Sequence, residues 1–101
     1  MSAHEKTSVR IGCAAGFWGD SNAAAAQLVH GGRLDYLVLD YLAEVTMSLL
    51  ATARRKDGAT GYAHDFVSDV MAPLAKALVE RNVKVIANAG GVNPEACRAA
   101  L

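Results

Sequence analysis

Three short apolar runs, Val9–Ala15, Asp35–Asp40 and Val83–Ala87, constrain the fold of this chain more than any other feature. Each has the length of one strand, and the first two show no regular apolar-polar alternation, as expected of strands covered on both faces. The stretches between the runs leave room for crossover helices, which parallel strands require. The pattern predicts an α/β fold with a parallel sheet of three strands and flanking helices. It reads as the incomplete N-terminal part of a larger doubly wound domain. Sequential crossovers suggest the strand order 2-1-3, with the opening of a barrel as the alternative.

The segments between the runs carry helix signals. Ala23–Val29 is alanine-rich, with Asp20, Ser21 or Asn22 available as a cap and Gly31-Gly32 as a stop beyond His30. From Leu42 onward, Val45, Thr46, Leu49, Leu50 and Ala53 form one helical face, and Arg54, Arg55 and Lys56 close its negative end. Residues 57–62 have turn composition and are expected to form an exposed, mobile loop. Phe66, Val70, Leu74 and Leu78 make a further stripe, which Pro73 should kink or split. Asn93 and Pro94 open a last helix as cap and first helical residue.

At 101 residues the chain forms one domain at most. Three strands would leave an open sheet edge, so residues 1–101 are expected to be an N-terminal segment, covered by the remainder of a parent chain or by an oligomer partner. Residues 1–8 should be disordered. Ten basic and ten acidic side chains cancel, so no overall field draws in nucleic acid or an anionic membrane. Cys13 and Cys97 form no Cys-x-x-Cys pair, which argues against a zinc site and fits a reducing compartment. No apolar stretch approaches the roughly eighteen residues of a membrane span, and Met1 to Arg10 carry no apolar h-region, so a cytoplasmic location is expected.

In a parallel sheet the loops leaving strand C-termini gather on one edge, where ligands bind. The first loop places Gly16, Trp18, Gly19, Asp20 and Ser21 at a helix start, with backbone amides suited to a carboxylate or phosphate. Neither Gly-x-Gly-x-x-Gly nor a Walker lysine is present, and ordinary turn chemistry accounts for the glycines equally well. The second loop offers Asp40 and Glu44 as a base or metal ligand, or Asp40 as a helix cap. In the third, Asn88, Gly90, Gly91 and Asn93 make either a nest for a ligand or a tight strand-to-helix turn. Phe17 and Trp18 suit an acyl chain, a base, or the rest of a larger protein. His64 and Asp65 read as helix caps, and Arg54–Lys56 as a solvated face or a phosphate clamp.

Ile11-Gly12-Cys13-Ala14-Ala15-Gly16-Phe17-Trp18-Gly19-Asp20-Ser21, Asp35-Tyr36-Leu37-Val38-Leu39-Asp40-Tyr41-Leu42-Ala43-Glu44 and Asn88-Ala89-Gly90-Gly91-Val92-Asn93-Pro94 follow in this order. Together with the stretch from Arg54 to Val67, they resemble the N-terminal domain of the acyclic terpene utilisation family. The resemblance implies a part in bacterial catabolism of citronellol and geraniol, within a chain of several hundred residues. It names no reaction and no cofactor. Two readings follow. In one, the protein acts on a terpenoid acid or its coenzyme A thioester, with Asp40 or Glu44 as base and the glycine loops and Asn88 binding the anion. In the other, the same loops form a non-catalytic nucleotide-binding, anion-binding or assembly module.

Overall fold

A computed structural model describes residues 8–101, so the expected disorder at the N-terminus falls almost wholly outside it. In chain order the elements are β1 (Ile11–Ala15), α1 (Ala24–Gly31), β2 (Tyr36–Leu39), α2 (Glu44–Lys56), α3 (Ala72–Glu80), β3 (Lys84–Ala87) and α4 (Pro94–Ala100). A π-helical stretch, Phe66–Met71, runs directly into α3. The three strands form one open parallel sheet with four flanking helices, as the apolar runs require.

The strand order is β1-β2-β3, not the expected 2-1-3. The composition of the strands accounts for this. β2 is the most apolar, and its Leu37 and Leu39 are 0% and 2% exposed, so it takes the central place with hydrogen bonds on both sides. Both crossovers step the same way across the sheet, and α1 packs on α3. Two crossovers of one hand that advance in one direction put their helices on one face. The order is the one with which a barrel opens.

The core lies between the sheet and this helical layer. Leu37 and Leu39 meet Ala25 and Val29 of α1, Phe66 and Val70 of the π-helical stretch, and Leu74 and Leu78 of α3 in one cluster. Small residues let β1 approach α1 closely. A Cβ on Gly12 would stand 3.0 Å from Leu34 Cδ1 and 3.3 Å from Leu28 Cδ1. The opposite face of the sheet is much less covered, with Ile11, Cys13 and Ile86 exposed and Tyr36 and Val38 half-buried.

Pro73 does not split the helix, which runs without interruption from His64 to Glu80. The proline has no N–H to return to residue 69, and the widened π-helical turn before it absorbs that missing bond. Two capping expectations need correction. The N-cap of α1 is Ala23, not Asp20, Ser21 or Asn22, although Ser21 Oγ accepts from the Ala23 amide at 3.2 Å. Asp65 precedes the π-helical stretch without capping it. Asn93, by contrast, caps α4 by accepting from the Ala96 amide, with Pro94 at the first helical position.

Candidate functional site at the strand C-termini

The parallel strands bring their three following loops to one edge of the sheet, and side chains far apart in sequence tie those loops together. Asp40 N–H donates to the Ala15 carbonyl at 3.0 Å, and Trp18 N–H donates to the Tyr41 carbonyl at 3.1 Å, joining the first loop to the second. Asn88 joins the second to the third. Its Oδ1 accepts from the Tyr41 amide at 2.7 Å, and its Nδ2 donates to Asp40 Oδ1 at 2.7 Å. Both ends of one amide are thus used across 47 and 48 residues of sequence.

This arrangement gives Asp40 a fixed position. Oδ1 accepts from Asn88 and also from the Leu42 amide at 3.3 Å, an Asx-type turn, so Asp40 does not cap α2, which begins after Ala43. Oδ2 accepts no hydrogen bond from the described residues, and the residue is exposed. Glu44 lies in the first turn of α2, exposed, and no hydrogen bond joins it to the Asp40–Asn88 pair.

The first loop is held by its own acid. Asp20 Oδ2 accepts from Gly16 N–H at 3.0 Å and Asp20 Oδ1 from Ser21 N–H at 2.9 Å. The Gly16 amide therefore already has a partner within the chain. Gly19 adopts φ +94°, which favours glycine, and a Cβ there would meet nothing within 4 Å. Trp18 finds its partner inside this chain: its indole Nε1–H donates to Asp65 Oδ1 at 2.7 Å, and its ring meets His64 edge-on at 6.1 Å. Phe17 remains 55% exposed.

In the third loop, internal packing explains one of the paired glycines fully. Gly91 has φ +56°, and a Cβ there would stand 2.6 Å from both the Gly61 carbonyl oxygen and Leu50 Cδ1. A Cβ on Gly90 would strike Pro94 at 2.9 Å. The loop also anchors the 57–61 turn. Asn93, 8% exposed, donates through Nδ2 to the Gly58 and Thr60 carbonyls, and Val92 N–H donates to the Gly61 carbonyl. Arg54 reaches the same loop from α2, its Nη1 donating to the Val92 carbonyl.

Sequence reading took Asp65 only as a helix cap and missed Asp69, the two acids that the α3 side contributes. Asp65 and Asp69 stand close enough to Tyr41 that they help burial, the larger cause, push its phenol up to about 12. Asn22 Nδ2 donates to Asp69 Oδ2 at 3.3 Å, so Asp69 also faces the first loop. No local motif signals these contacts, because the hydrogen bonds of Asp65 and Asp69 to the first loop each span 47 residues. Burial also raises the Cys97 thiol. Among the described residues no three His, Cys, Asp or Glu side chains come together as a metal site, and no helix is long and apolar enough to cross a membrane.

An open parallel sheet with flanking helices and polar side chains meeting at its strand C-termini makes this an α/β protein, a class in which ligands generally bind at that edge. Residues 9–101 match the acyclic terpene utilisation family protein AtuA, and the chain belongs to that family. The family's name ties it to the utilisation of acyclic terpenes. No curated protein and no solved structure matches the chain.

Proposed function

We propose that the protein serves acyclic terpene catabolism by acting on a terpenoid acid or its coenzyme A thioester, with Asp40 as the proton-accepting carboxylate. The observation that carries this reading is the state of Asp40, an exposed residue with one oxygen held by Asn88 and Leu42 and the other without a hydrogen bond from the described residues. A general base needs a fixed position and a free lone pair, and this arrangement supplies both.

Electrostatics divides the edge. Asp20, Asp40, Asp65 and Asp69 gather around the first and second loops, where a phosphate or carboxylate would be repelled. The acyl part of a substrate suits that side, with Trp18 and exposed Phe17 as its apolar contacts. The anionic part suits the third loop, beside the Arg54 guanidinium and the Gly90–Gly91 turn.

Thermal unfolding of the protein with geranyl and citronellyl coenzyme A thioesters, free coenzyme A and common nucleotides tests this. A ligand present at a hundred times its Kd stabilises by about 2.7 kcal/mol, which is readily seen as a rise in midpoint. A terpenoid thioester should give the rise, Asn88→Ala should abolish it by releasing the loops that Asn88 ties together, and Asp40→Asn should keep it while losing turnover of the bound thioester. A rise with nucleotides alone, or with none of these compounds, would count against the terpenoid site and in favour of a binding or assembly module.

A further inference from the structure

The first turn of α2 is left open on the loop edge. Its N-cap, Ala43, makes no side-chain hydrogen bond, and the amides of Glu44, Val45 and Thr46 find no acceptor among the described residues. The first amides of a helix need outside partners, and together with the helix dipole they favour negative charge. α4 starts on the same edge, but there Asn93 closes the turn.

Thr46 adds a hydroxyl that the fold does not use. The residue is 7% exposed, yet its Oγ1 makes no hydrogen bond with the described residues. Thr52, in the same helix, donates its hydroxyl to the Ser48 carbonyl at 3.0 Å, a common bond for a helical threonine. Among the described residues no side-chain oxygen sealed from solvent lacks a partner, so the Thr46 hydroxyl still reaches solvent. Helical side chains lean towards the N-terminus, which sets this one over the open turn. Thr46 and Leu50 form the buried face of α2, and Leu50 Cδ1 lies 2.6 Å from where a Cβ on Gly91 would stand. Thr46 therefore belongs to the side of α2 that meets the third loop. Only Tyr41, Leu42 and Ala43 separate this turn from Asp40, whose Oδ1 is fixed by Leu42 and Asn88.

We infer that this turn is an oxyanion hole, in which the Val45 and Thr46 amides and the Thr46 hydroxyl donate to the carbonyl oxygen of a terpenoid thioester. This assignment, which rests on the terpenoid reading above, makes the reaction a proton transfer at the carbon beside the carbonyl. Asp40 Oδ2 takes the proton as the C–H bond breaks, and the electron pair passes to the carbonyl oxygen. The same carboxyl then returns a proton to carbon. A neutral carbonyl escapes the repulsion that the surrounding acids exert on an anion, and the donors act on charge as it develops. The thioester is thereby selected over the free acid, whose carboxylate those acids repel.

Citronellyl coenzyme A thioester carries a CH2 group beside its carbonyl. Incubation with the protein in D2O, followed by mass spectrometry, reads deuterium uptake at that carbon, and thermal unfolding is measured alongside. The protein should introduce deuterium. Thr46→Val should slow uptake on the order of 100-fold while keeping the rise in midpoint, Thr46→Ser should restore it, and Asp40→Asn should abolish it. Uptake unchanged in Thr46→Val overturns the inference. So does loss of the midpoint rise in that variant, which would assign Thr46 to binding of the ground state. A midpoint rise without deuterium uptake by the unaltered protein overturns it as well, while leaving terpenoid binding in place. Absence of both defeats the terpenoid reading and this assignment with it.

Discussion

Leu37 and Val38 are neighbours in the middle strand, and the pleat sends them to opposite faces. Leu37 is fully buried beneath α1 and α3, whereas Val38 is only half-covered and lies in register with Cys13 and Ile86, both exposed. Apart from Lys84 and Tyr36, the open face carries the same kinds of apolar side chain as the covered one, yet one is a core and the other a surface with Ile11 at 64% and Ile86 at 55% exposure. Strand composition therefore records that both faces are suited to burial, while the crossovers determine which face the described helices cover. An apolar surface of this kind usually marks a place of contact.

The contrast between the faces is open to direct test, and the largest effect belongs to the covered one. Leu37→Ala should destabilise the protein by about 2–5 kcal/mol in denaturant or thermal unfolding, since nothing nearby can collapse into the void. A loss under about 1 kcal/mol would show that the helical layer is looser than its burial implies. Next comes the loop edge. Asn88→Ala leaves the Tyr41 amide and Asp40 without their partner and should cost about 2 kcal/mol, read in the same way.

Tyr41 gives a pH test of similar size. Its phenol is raised from 10.0 to about 12, so the native state holds this proton more tightly than the unfolded state does. The resulting stability is fully present below pH 10 and is lost as pH rises from 10 towards 12, by about 2 kcal/mol in all. Phenolate absorbance should show Tyr41 ionising after ordinary tyrosines. Its ionisation at an ordinary pH would place it outside the acid-flanked, buried setting. Trp18→Phe, which removes the donor to Asp65, should cost about 1 kcal/mol by circular dichroism melts.

The smallest effect is expected on the open face. Ile86→Ser should change stability by no more than about 0.5 kcal/mol when only solvent lies beyond it. A cost approaching that of Leu37→Ala would show that this face too is covered in solution.

Much of the fold was legible from local signals. The three strands, the Asn93–Pro94 start of α4 and the charged end of α2 all follow from spacing and from single-residue conformational preference. The candidate site was legible only in part. Asp40 and Asn88 stand out because each follows a strand, but their hydrogen bond spans 48 residues and leaves no local trace. Gly91 looked suited to a ligand as much as to a turn, and the Gly61 carbonyl and Leu50 side chain that crowd it come from other parts of the chain. Trp18 suits an acyl chain, a base or another part of a larger protein by its residue type alone, and its partner Asp65 lies 47 residues away.

By itself, then, the sequence determined that this chain makes parallel strands joined by helices, because period, glycine stops and caps act within a few residues. Tertiary structure decided the strand order, the face that is buried and the use of the Asn88 amide. Those depend on which distant segments pack together, and packing energy is a property of pairs of surfaces that no single segment carries alone.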